Sequence, residues 1–86
     1  MKTGIIVYVV GRERTGKEFD VVEAVKDLRI KADRVEAVLS GEDQFDVMDA
    51  WWVLTTKGMK KVVCMLAEVV GNSRIVLTGR ELRLCG

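Results

Sequence analysis

The segment Gly11-Arg12-Glu13-Arg14-Thr15-Gly16-Lys17 comes nearest to a recognisable chemistry. It follows an apolar run and opens a helical pattern. Glycines at both ends let the backbone approach a ligand, amides at a helix start point outward, and Arg12, Arg14 and Lys17 add positive charge. This is the Gly-x4-Gly-Lys spacing of a phosphate-cradling loop. Glu18 then stands where a nucleotide hydrolase needs Ser or Thr to hold magnesium, and its carboxylate repels phosphate. No later strand ends in a clear Walker B aspartate. The sequence therefore predicts either a capped turn with solvated arginines or plain binding of a phosphate-bearing small molecule at Gly11, Arg12, Arg14, Thr15, Gly16 and Lys17. It argues against nucleotide hydrolysis.

Other catalytic chemistries have little to build on. The chain has no histidine, so the usual general base and the Ser-His and Cys-His pairings are missing, as is the commonest ligand of zinc and iron. Glu42, Asp43, Asp46 and Asp49 form an acidic group whose spacing fits no EF-hand loop. Acids are expected at a helix start in any case. Cys64 lies in an apolar run and reads as a core residue. Cys85, next to last, offers a tail thiol for sulfur transfer or mixed disulfides, and the tail is superficially similar to those of sulfur-relay proteins. Nothing beyond Arg83 would lower its pKa. No catalytic residue, metal or cofactor is assigned, and the balance favours a non-enzymatic protein.

A third feature points to association. Trp51 and Trp52 are adjacent and so point about 100° apart on a helix. Trp51 belongs to a core stripe with Val47, Ala50 and Leu54. Trp52 lies off that stripe and groups with Phe45, Met48 and Met59. A second apolar stripe on an outer helix face reads as an interface, for a second copy or another protein. The alternative is that the C-terminal tail folds over it.

These residues must be positioned by a small number of elements. Ile5–Val10 is apolar at both alternate sets of positions, which predicts a strand covered on both faces. Thr15 and Glu18 have capping-box spacing, and Val21, Ala24, Val25, Leu28 and Ala32 fall on one helical face. Ile30 lies opposite that face, so the helix is expected to end near Arg29 with Ile30 packing from the turn. Arg34–Ser40 alternates like an edge strand. A second helix runs from about Asp43 or Phe45 to Lys57, with Asp43 as the expected N-cap and Gly58 as its stop. Lys60–Val70 is again apolar on both faces. Gly71-Asn72-Ser73 turns the chain into Arg74–Leu84, whose apolar phase changes at Thr78-Gly79, a sign of a bulge or a second turn.

The expected fold is a single α/β domain over residues 1–86, in the order β-α-β-α-β-β. The preferred layout is a mostly parallel sheet of order 2-1-3-4 with a C-terminal antiparallel hairpin and helices on opposite faces. The alternative puts both helices on one face. That alternative is similar in element order, and in nothing else, to the C-terminal domain of translation initiation factor three and to Alba-type chromatin proteins.

Composition narrows the partners. A net charge of +1 over 86 residues gives no strong field for nucleic acid or membrane. The basic residues Lys60, Lys61, Arg74, Arg80 and Arg83 gather late in the chain, where charge ordinarily protects an edge strand. No apolar run reaches the length of a membrane span. Met1-Lys2-Thr3-Gly4 carries no signal-peptide pattern, so a cytoplasmic protein is the expectation.

Overall fold

A strand without a polar face needs cover on both sides, and the structure supplies it. The computed structural model describes residues 2–11, 20–41, 46–71 and 74–82, with side chains to Gly79 in the last segment. Strand β1 is Thr3–Val10, and its residues Ile6, Val7 and Val9 are wholly removed from water. The elements that follow are helix α1 (Val21–Asp27), strand β2 (Arg34–Leu39), helix α2 (Val47–Thr56), strand β3 (Lys61–Val70) and strand β4 (Arg74–Leu82).

The sheet order is β2-β1-β3-β4. Strand β1 runs parallel to both neighbours, with Ile5 opposite Val35 and Val63. Strand β4 returns antiparallel along β3. This is the preferred 2-1-3-4 layout.

Two apolar clusters flank the sheet. Ile5, Val7 and Val9 pack with Ala24 and Val25 of α1 and with Ala67, Val69 and Ile75. Ile6 and Val38 pack with Ala50 and Leu54 of α2 and with Met59 and Cys64. The two helices thus cover opposite faces, and the layout with both on one face is overturned. Each cluster takes one alternate set of β1 side chains, because successive side chains of a strand point to opposite sides.

Local chemistry sets the helix limits. Asp20 is the N-cap of α1; its carboxylate accepts from the amides of Val22 and Glu23 at 3.0 and 3.3 Å. Helix α1 thus starts immediately before its first core-facing residue; the expected capping pair Thr15 and Glu18 lies outside the described residues. Leu28 closes the helix, and Arg29 follows in the left-handed region at φ 51°. Ile30 packs on the α1 cluster from the turn, as expected. For α2, a reciprocal capping box forms between Asp46 and Asp49, at 2.9 and 3.0 Å. The N-cap is therefore Asp46, again next to the first stripe residue; Asp43 lies outside the described residues.

One glycine is required by close packing. A Cβ added at Gly4 would lie 3.0 Å from both methyls of Leu54 and 3.1 Å from Met59 Cγ. The C-terminal end of α2 therefore rests on bare β1 backbone.

The hairpin carries the irregularity expected at Thr78-Gly79. Thr78, Gly79 and Arg80 stand against Leu66 alone, Gly79 takes φ 81°, and Thr78 Oγ1 donates to the Leu66 carbonyl at 3.1 Å. This is a β-bulge in the outermost strand.

Candidate functional site

The outer face of α2 follows from its inner one. Ala50 and Leu54 are fully buried, and Val47 and Trp51 flank them against the sheet. At 100° per residue this commits Met48 and Trp52, one turn apart, to the other side. They are 60 % and 65 % exposed. The Trp52 carbonyl accepts from Thr55 Oγ1 at 3.0 Å.

The other two residues of the expected stripe behave differently. Met59 is only 9 % exposed and belongs to the core beneath α2, beside Leu54 and Cys64. This is a correction with a simple cause. Gly58 takes φ 89° and ends the helix, so the helical wheel does not extend to residue 59. Phe45 lies outside the described residues.

At the loop after β1, Gly11 takes φ 87°, and a Cβ there would make an ordinary 3.5 Å contact with Val69 of β3. It stands where the chain leaves β1, beside β3, the switch point at which open α/β sheets admit ligands. Arg12, Arg14, Thr15, Gly16 and Lys17 lie outside the described residues. The first amides of α1 are aimed at the chain's own Asp20 carboxylate. A phosphate approaching that helix end would have to displace a charged, covalently tethered cap.

The acids of the second loop have local work. Asp46 and Asp49 hold each other's backbone amides, and Glu42 and Asp43 lie outside the described residues. Among the described residues no group of three or more metal-ligating side chains converges. Cys64 is buried, and desolvation pushes its thiol pKa up. It is thus an unreactive packing residue. Cys85 lies outside the described residues. Lys60, Lys61 and Arg74 are exposed at the ends of the β3–β4 hairpin.

Sequence reasoning did not find the groove between α1 and β2. It is an open hollow of about 420 Å³ floored by Val25, Ile30, Val35 and Ala37. Lys26 and Arg29 stand on its rim, both exposed, and neither is in an ion pair with another described residue. Glu36 also borders it, with its carboxylate held by Arg34 Nε at 2.9 Å. The sequence carried half of the signal, since Arg34–Ser40 reads as an edge strand, while the short span of α1, Val21–Asp27, was not foreseen.

No helix among the described residues is long and apolar enough to cross a membrane. Comparison with known protein families, curated proteins and solved structures finds no match for this chain.

Proposed function

We propose that the chain is a non-enzymatic interaction module that self-associates through the outer face of α2. The observation that carries this reading is the exposure of Trp52 beside Met48 on a helix whose opposite side packs on the sheet through Ala50 and Leu54. An indole left in water forgoes a large burial free energy, and tryptophan and methionine are enriched where surfaces meet. Mass measurement by light scattering tests the reading. The native chain is expected to be a dimer or larger at micromolar concentration, and Trp52→Glu is expected to be a folded monomer. A native monomer, or an assembly unaffected by Trp52→Glu, would overturn it.

The second reading is a phosphate-bearing ligand at Gly11–Lys17, favoured by the place of Gly11 at the switch point. Titration with millimolar phosphate or nucleotide tests it. Amide shifts confined to Gly11–Glu18 support it, and their absence rejects it.

A further inference from the structure

We propose that the groove between α1 and β2 is a recognition site for an extended acidic peptide, bound by addition of a strand to the free edge of β2. Three observations converge on it.

The first is the edge itself. Strand β2 has β1 on one side and, among the described residues, no strand on the other. Every residue from Gly4 to Val9 of β1 meets its partner from Arg34 to Leu39 without a register shift, so β2 carries no bulge in its pairing with β1, and in a regular strand the backbone groups not turned to one neighbour are turned to the other side. The opposite edge, β4, is interrupted by the bulge at Thr78–Arg80. A bulge blunts an edge against strand addition. Of the two edges, β2 is the one left open to it.

The second is the hollow alongside. Helix α1 covers only the seven residues Val21–Asp27, and on the outer side of Val25 it leaves an apolar trough down to Val35 and Ala37. An added strand sends alternate side chains to the two faces of a sheet. On the α1 face those side chains enter this trough. Backbone pairing would supply general affinity, and the pocket would select the side chain.

The third is charge. Lys26 and Arg29 flank the trough on exposed positions without an ion-pair partner among the described residues, while the one carboxylate that lines it, Glu36, is held by Arg34. The free charge on the rim is positive, which fits acidic residues on either side of an apolar one. The site is on the opposite face of the sheet from α2, so it stands apart from self-association through Trp52.

The probe is a pool of capped pentapeptides, acetyl-Glu-Thr-X-Thr-Asp-amide, with X as Val, Ile, Leu or Phe. Its two acids and X share one face when extended, and threonine favours a strand. Titration into the isotopically labelled full chain is expected to shift amides of Arg34–Leu39 and Val21–Arg29. The double variant Lys26→Glu/Arg29→Glu is expected to weaken binding about tenfold. A lysine-for-acid pool should bind at least as much more weakly. Methylating alternate backbone nitrogens of the peptide should abolish binding, because it removes the donors that pair with an edge.

The proposal would be overturned by no shift at millimolar peptide in a chain whose dispersed spectrum shows it folded, by equal binding of the lysine pool, or by retained binding of the methylated peptide. If β2 amides instead shift with protein concentration alone and peptide does not compete, a second copy occupies the edge and the peptide site is refuted.

Discussion

Leu54 sits directly on Gly4: a Cβ at residue 4 would stand 3.0 Å from both Leu54 methyls. Leu54 is fully buried, so its methyls would have to shift within a packed core. Gly4→Ala is therefore expected to destabilise the protein by about 1–3 kcal/mol, the usual cost of overfilling a packed core. A urea midpoint unchanged or raised would show that α2 can lift off β1 without cost.

Met59 and Met48 make a matched pair of tests. Met59 is core and Met48 is surface. Met59→Ala should cost about 2–4 kcal/mol, in the range for a buried methionine truncated to alanine. Met48→Ala should change the stability of the folded chain by less than about 0.5 kcal/mol. Chemical denaturation below the concentration of any self-association measures both, and equal effects would return Met59 to the outer stripe.

Arg29 holds a left-handed conformation at the C-terminal end of α1, with φ 51°. That geometry costs a non-glycine residue roughly 1–2 kcal/mol. Glycine avoids the cost but adds freedom to the unfolded chain. Arg29→Gly is accordingly expected to stabilise by about 0.5–1 kcal/mol, read as a higher thermal midpoint. A lower midpoint would mean that the arginine side chain contributes more than its backbone costs.

Burial holds the Cys64 thiol above its ordinary pKa of 9.0. The folded chain keeps this proton where the unfolded chain begins to lose it. The associated stability is thus complete below pH 9 and is lost as pH rises through the higher, folded pKa. In a Cys85→Ser background, alkylation of Cys64 at pH 8 should proceed only as fast as the protein opens. Fast alkylation of the folded protein would contradict the burial.

The sheet was legible because its evidence is redundant. Ile5–Val10 and Val62–Ala67 each lack a polar face, and two such strands must both lie inside the sheet. The helix starts were harder, since this chain offers several capping residues before each helix. Asp20 and Asp46 were chosen because each immediately precedes the first residue that touches the sheet, Val21 or Val47. Met59 was misplaced by carrying a helical period past a glycine. The α1–β2 groove was missed for a different reason: it is a mismatch of length between two elements, and periodicity within one element does not report it. The outer residues Met48 and Trp52 were found because their period relative to the core stripe is local.

The position of β1 also has a consequence for how the chain is made. Its two hydrogen-bonded partners, β2 and β3, are parallel and distant in sequence; Ile5 meets Val35 and Val63. This apolar segment is made before either partner, and its second partner follows only after both helices have been synthesised. The β3–β4 hairpin is the one strand pairing with neighbours close along the chain, and local closure is faster than distant closure. Folding is therefore expected to wait for the C-terminal half and to proceed from it toward the N-terminus. Pulsed hydrogen exchange should show amides of Val69–Val76 protected before those of Ile5–Val9; the reverse order would place the nucleus in β1–α1–β2.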